Sequence, residues 1–422
     1  MKLDVAVTGV GVCAPLGHTP DELLDALLDG RTGVGPVTAF DASPFPCRLA
    51  ARVTDFKARD WVSNRKNIKL MSDAVQFGLA AVKRAHADAG LSAQPADPER
   101  LGMFVGAGTA FGDPRDLAPA LERGFAGGGD FDPAVFAREG MHLINPLWLL
   151  KGLSNNVLGF ATADLDARGV NQNYCNSATG GLQAIGEAAW AIVEGKADVI
   201  VAGGADSAVD PAHFAGFGRL QMLTAAADAD GVRPFDEAHD GFAPGEGAAF
   251  FVLESLASAR ARRRAPLARI VGYGTACSAH ALPVGVPDGV VRAARTALRH
   301  AGWTPDQVDL VYAHGNGTAA YDRNEARAWC EVFDQRTPPV TTNKANIGHA
   351  IAASGPLSVV TAIAAARRGM APAIRNLRSP ARDCRGLDLV YGEPRRISAR
   401  RVLVHAAGLG AQTAVIALEL DP

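Results

Sequence analysis

The sequence has no long apolar run, no excess of either charge and no paired cysteines, and each absence removes a class of protein. No stretch approaches the roughly 18 apolar residues that a membrane-spanning helix requires. Formal net charge is −2, from 42 Lys and Arg against 44 Asp and Glu, so no basic field speaks for nucleic acid or an anionic membrane. The six cysteines, Cys13, Cys47, Cys175, Cys277, Cys330 and Cys384, stand far apart with no C-x-x-C pair. That spacing argues against a zinc site or a disulfide framework and fits a reducing cytoplasm. The N-terminus, MKLDVAVTGVGV, lacks a cationic segment followed by an apolar stretch and a cleavage site, so it reads as a first strand and not as a signal peptide.

What is there is an ordinary globular composition, 48% hydrophobic and 20% charged, spread over 422 residues. That length exceeds one simple core and predicts two domains or two fused halves, here 1–255 and 256–422. Apolar, strand-like runs alternate with helical patterns. VAVTGVGV (5–12), MFVGAG (103–108), ADVIVAGG (197–204), LARIVGYG (267–274), DLVYAHG (309–315) and VLVHAAGLGA (402–411) read as strands. Thr19 is the expected N-cap of a helix with Pro20 at its first position and Leu23, Leu24, Leu27 and Leu28 on one face. A second helix opens on Ser72 and runs through 72–89. Strands this apolar, separated by helices, predict an α/β fold with a parallel or mixed sheet covered on both faces. RARRRAP (260–266) reads as a solvated connection between the halves.

Four motifs stand in order along the chain: VAVTGVGVCAPLG, RPFDEAHDGFAPGEGAAFFVLE (233–254), AHGNGT (313–318) and NKANIGHAIAASG (343–355). In these the chain resembles the β-ketoacyl synthases, above all the type II ketosynthases of fatty-acid and polyketide pathways, over nearly its whole length. The resemblance implies a thiolase fold, two pseudo-repeated halves in a layered αβαβα sandwich. It also implies a reaction. A cysteine at a helix N-terminus takes an acyl group from an acyl carrier protein; malonyl carrier protein then loses carbon dioxide, and the enolate attacks the acyl-enzyme. Such a thiolate is favoured by the helix dipole, and the enolate and oxyanion need preplaced donors.

By that resemblance His314, Lys344 and His349 take the family's catalytic histidine, lysine and histidine positions. Thr318 and Asn316, in a loop that is more often HGTGT or HGTST, become partners for the phosphopantetheine arm. Asp322 and Glu325 fall at the acidic positions that orient the lysine or a cation. Phe217, Thr109 and Leu409 fall on the acyl pocket, with Leu409 in the place of a gating phenylalanine.

The nucleophile's own position is different. GGLQAIGEAAWAIVEG followed by ADVIVAGG resembles the family's helix behind the cysteine, and counting back from Leu182 puts the nucleophile at residue 178. The usual T-A-C reads Asn176, Ser177, Ala178, and alanine has no atom to attack a thioester. Cys175, an odd number of residues earlier on the incoming strand, is expected to face the other way as a small buried hydrophobe. Cys277 lies in GTACSAH (274–280), which carries the family's letters but precedes no Gly-Gly apolar helix.

Three readings follow. One is a ketosynthase whose cysteine has been replaced, condensation-inactive as written. A second is a malonyl carrier protein decarboxylase, which needs the histidines and not the thiol. A third is a chain-length-factor subunit, which commonly loses the histidine and lysine motifs as well. The resemblance implies acyl carrier protein as partner, a homodimer or a heterodimer joined through the nucleophile-region strand, no nucleic acid and no membrane. It implies no metal or redox cofactor, phosphopantetheine arriving on the carrier.

Overall fold

In a computed structural model that describes residues 2–108, 114–279 and 287–420, eleven strands are hydrogen-bonded in one continuous order. They are β1 (Val5–Cys13), β2 (Leu101–Ala107), β3 (Asn171–Tyr174), β4 (Val199–Ser207), β5 (Glu246–Ser255), β6 (Ala268–Cys277), β7 (Leu310–Tyr312), β8 (Pro339–Thr341), β9 (Asp388–Leu389), β10 (Arg401–Ala407) and β11 (Gln412–Glu419). The spatial order is β9-β8-β7-β10-β11-β6-β1-β5-β4-β2-β3. Parallel pairs occupy the two ends and antiparallel pairs the middle.

The order repeats. Numbered along the chain within each half, β1 to β5 lie as 3-2-4-5-1, and so do β6, β7, β8, β10 and β11, with β9 added outside. The halves join where Val5, Ala6 and Val7 pair with Ile270, Arg269 and Ala268.

Helices complete five layers. The first helix, α1 (Pro20–Leu28), opens on a capping box between Thr19 and Glu22, as its sequence predicts. The next, α2 (Asp73–Asp88), covers β1, β4 and β5 from outside, although Ser72 at its N-cap makes no side-chain cap bond. In the second half α4 (Pro287–Ala301) and α5 (Ala319–Val332) form the other outer layer. Between the halves lie α3 (Gly180–Val193) and α6 (Ser354–Arg368), each touching strands of both. Burial of nearly every residue of these two explains why they are alanine- and glycine-rich instead of amphipathic.

Glycine is needed where the central layer meets the sheet. A β-carbon on Gly106 of β2 would lie 2.3 Å from the Gly181 nitrogen, and one on Gly181 would lie 2.3 Å from the Ala352 oxygen. These contacts are backbone on backbone, so no rotamer change relieves them.

Three sequence expectations change. DLVYAHG is a strand only over Leu310–Tyr312, because its Gly315, and Gly317 just beyond it, adopt φ of +38° and +89° and break the extended run. VLVHAAGLGA is a strand to Ala407 and then a turn into β11, with which β10 pairs over seven residues. RARRRAP is only partly solvated: Arg262 reaches back 2.9 Å to the buried Glu254, whose carboxylate also accepts from Thr8. No helix among the described residues is long and apolar enough to cross a membrane.

Replacing Gly106 with Ala is expected to cost about 1–3 kcal/mol by overpacking and to lower the thermal midpoint, whereas Gly216→Ala, where nothing lies within 4 Å of the added carbon, is expected to leave it unchanged or raised. Paired calorimetric scans of the two variants check this.

Candidate active site

The chain leaves β3 at Tyr174 and enters α3 through a tight elbow. Ser177 takes φ +51°, a left-handed conformation that a non-glycine residue adopts only under constraint. Asn176 supplies part of that constraint: its carbonyl accepts from the Thr179 hydroxyl (2.7 Å) and its Nδ2 donates to Gln183 (2.6 Å). Ala178 sits in the single 3₁₀ turn (Ser177–Thr179) ahead of α3, 1% exposed. Its methyl belongs to an apolar cluster with Ala208, Phe217, Met222, Phe242, Tyr321 and Ile351, against which Leu409 and Ala407 pack.

Opposite this cluster two loops of the second half bring up polar groups. His314 follows β7 and is buried, with both ring nitrogens unpartnered. His349 follows Gly348, whose φ of +67° turns the chain, and its Nδ1 lies 2.8 Å from the Ser354 hydroxyl at the start of α6. The two imidazoles stand edge to face, ring centroids 5.1 Å apart, and Phe242 meets His349 at 4.8 Å. Burial pushes both imidazoles well below their usual pKa, and neighbouring positive charge adds to it: for His314 from His349, Lys344 and His405, for His349 from Lys344. Both are therefore neutral at pH 7. With the Ser354 hydroxyl donating to Nδ1, the neutral ring carries its proton on Nε2 and can donate it to an incoming oxygen; with the hydroxyl accepting, Nε2 is an acceptor.

Lys344 is 1% exposed, and burial pulls its ammonium down to about 8 against the Glu325 and Asp322 carboxylates, which hold it up. Glu325 is the busiest group of the site. Its Oε1 accepts from the His314 amide (2.8 Å), Trp329 Nε1 (3.2 Å) and His405 Nδ1 (2.5 Å), and its Oε2 from the Gly315 amide (2.8 Å). Burial raises its pKa, but the charge and hydrogen bond of His405 and the two amides outweigh it, and the carboxyl stays below its usual range. Asp322 accepts from the Phe235 and Gly317 amides and from His239 Nδ1 (2.9 Å), yet burial leaves it raised.

Of the residues singled out in sequence, the fold brings Phe217 and Leu409 to the Ala178 cluster and groups His314, Lys344, His349, Asp322 and Glu325 beside it. In the 313–318 loop, Asn316 Oδ1 accepts from the Thr318 amide (2.9 Å), which takes one of its two acceptor sites within the loop, while the Thr318 hydroxyl is buried with no partner. Thr109 lies outside the described residues. Cys175 is exposed, not the small buried hydrophobe its sequence suggests, because β3 ends the sheet and is paired on one side only. Cys277 is exposed at the end of β6, its thiol toward the Gly410 carbonyl (3.4 Å).

Sequence reasoning missed His405, Phe242 and Tyr321. A histidine inside the apolar run VLVHAAG was the signal for the first, since a buried polar residue in a strand needs partners. A cavity of about 380 Å³ lies on the other side of the β4 end, lined by Asp206, Ser207, Asp210 and His213, and it does not reach the two histidines. Asp206 crosses between them: its carboxyl, pushed up to about 6 by burial, accepts from the Ala352 amide (3.1 Å) just after His349.

Five layers, a twice-used strand order and a helix-start elbow facing two neutral histidines define a protein of the thiolase fold. The chain belongs to the β-ketoacyl synthase family: residues 2–259 match the family's N-terminal domain and 267–378 its C-terminal domain. It is 32% identical to the 3-oxoacyl-[acyl-carrier-protein] synthase 2 of Coxiella burnetii, over 99% of this chain and 98% of that one. It is 35% identical to the actinorhodin polyketide putative beta-ketoacyl synthase 2 of Streptomyces coelicolor, over 96% of each. Among solved structures, the ishigamide ketosynthase/chain length factor superposes with a TM-score of 0.89 at 30% identity, covering all of both chains.

Lys344 gives a pH test. Its folded pKa of about 8 lies below the usual lysine value of 10.5, so between these pH values the unfolded chain binds more protons and stability falls as pH falls. Lys344→Met removes this pH dependence. The variant is expected to gain about 3 kcal/mol on the parent between pH 10.5 and 8, with no further gain below, as denaturant titrations at stepped pH will show.

Proposed function

We propose that this chain is a type II β-ketoacyl-[acyl carrier protein] synthase with Ala178 in the place of the nucleophilic cysteine, which binds carrier-borne thioesters without condensing them. The observation that carries the reading is the Ala178 methyl, buried at the start of α3 in an apolar cluster that also meets the two neutral histidines. Without a thiol no acyl-enzyme forms, and no carbon–carbon bond is made.

The first half of the chemistry needs no thiol. A malonyl thioester carbonyl placed between His314 and His349 accepts an imidazole N–H from each. As the C–C bond to the carboxylate breaks and carbon dioxide leaves, the electron pair becomes an enolate whose oxygen these donors stabilise. Protonation at carbon then gives the acetyl thioester. Donors that are neutral, buried and not already hydrogen-bonded are suited to this, because they strengthen their bonds only as charge develops. The Thr318 hydroxyl, buried and unpartnered, is suited to the phosphopantetheine arm. Cytoplasmic location and pairing through the β3 edge, with a second copy or with a ketosynthase partner, belong to the same proposal.

A chain-length-factor role is the second reading. Ala178 favours it, and so does the similarity to the ishigamide ketosynthase/chain length factor. Retention of His314, Lys344 and His349 favours the first.

Two outcomes test the assignment. After incubation with acyl carrier proteins of several chain lengths, Ala178→Cys is expected to gain a single acyl mass that the parent does not; a stable adduct on Cys175 or Cys277 of the parent would sink the assignment. Malonyl carrier protein decarboxylation by the parent is expected to fall about 10²–10³-fold in His314→Ala and His349→Ala. Unchanged rates in both would remove the two-histidine reading.

A further inference from the structure

His405 lies on β10, outside every motif that marks the family resemblance, and it is the third histidine of the site. Its ring is 1% exposed and 6.2 Å from that of His314, and Trp329 meets it edge on at 5.7 Å. Both nitrogens are engaged. Nδ1 donates to Glu325 Oε1 at 2.5 Å, and Nε2 lies 2.8 Å from the Thr413 hydroxyl on the adjacent β11. The same carboxylate receives the amides of His314 and Gly315. A rigid path therefore runs from β11 through Thr413, His405 and Glu325 to the backbone that carries His314. The His314 ring has no hydrogen bond of its own. Only packing and the position of its backbone aim it.

We propose that His405 is a positioning residue for His314, acting through Glu325. A carboxylate buried with four donors is held by all of them; removing the shortest loosens its alignment on the other three. The His314 and Gly315 amides would follow. The Thr413 hydroxyl anchors the ring's other nitrogen from the neighbouring strand and fixes its tilt. This inference rests on the two-histidine reading above for its kinetic arm only.

The experiment compares the full-length parent with His405→Leu, His405→Gln and Thr413→Val. One measurement is malonyl carrier protein decarboxylation across pH 5.5–9. The other is NMR of the histidine rings in protein labelled at histidine. His405→Leu is expected to lower kcat about 10-fold or more with KM within about two-fold, because a misaimed donor harms the transition state more than binding. His405→Gln keeps an N–H for Glu325 and is expected to recover most of kcat. The His314 ring resonances are expected to shift in the Leu variant and return in the Gln variant.

An unmoved His314 resonance together with parental kcat in His405→Leu overturns the proposal. So does equal impairment of the Leu and Gln variants with equally lowered melting temperatures, which would mean packing alone. Should the Leu variant not fold, Thr413→Val removes only the ring's second anchor and must still shift His314. Should the parent show no decarboxylation, the function above fails while the resonance arm still decides the role of His405.

Discussion

The structure turns on the backbone of one residue, Ala352. Its carbonyl oxygen occupies the space that a β-carbon would need on Gly181 or on Gly204, at 2.3 and 2.5 Å. Its amide is held by Asp206. Gly204 and Asp206 belong to β4 of the first half, Gly181 to the central helix α3, and Ala352 to the turn between His349 and α6 of the second half. Elbow and histidine turn can meet only where there are no side chains. A protein interior transmits such a displacement because it is close-packed, so the spacing across the chamber is set here and not by the histidines themselves.

Burial then decides the chemistry of what faces the chamber. Lys344, His314 and His349 are all taken out of water, and all three are pushed toward their neutral forms. For the imidazoles the result is a pair of uncharged donors. For the lysine the two carboxylates of α5 work against it and leave its pKa at about 8. Glu325 remains ionised because four donors, the His405 imidazole among them, replace its lost hydration. The network under the loops is thus the counterpart of the open donors above them: one carboxylate saturated so that two imidazoles can stay unsaturated or singly held.

Much of this was legible before any coordinate. The N-cap at Thr19 and the long apolar strands announced themselves by local chemistry and period; the helix behind Ala178 was read through resemblance. The grouping of His314, Lys344 and His349 was legible only through resemblance, since nothing in 30 residues of spacing says which loops will meet. His405 was visible as an oddity in VLVHAAG, but its partners are 80 residues back and 8 residues on. Cys175 was misjudged because period tells which face a residue takes, not whether its strand is the last in the sheet. Arg262 was misjudged because a run of arginines looks solvated until the buried Glu254 is found beside it.

The sequence by itself determined the alternation of strands and helices, the cap of the first helix, and the absence of a sulfur at residue 178. These are local matters: side-chain volume, backbone freedom and the chemistry a methyl group does not have. Tertiary structure alone decided that the methyl faces an apolar cluster, that His314 is left without a partner, and that one buried carboxylate ties two distant strands to the histidine loop. Those depend on which surfaces exclude water together, and that is fixed only when the two halves close on the helices between them.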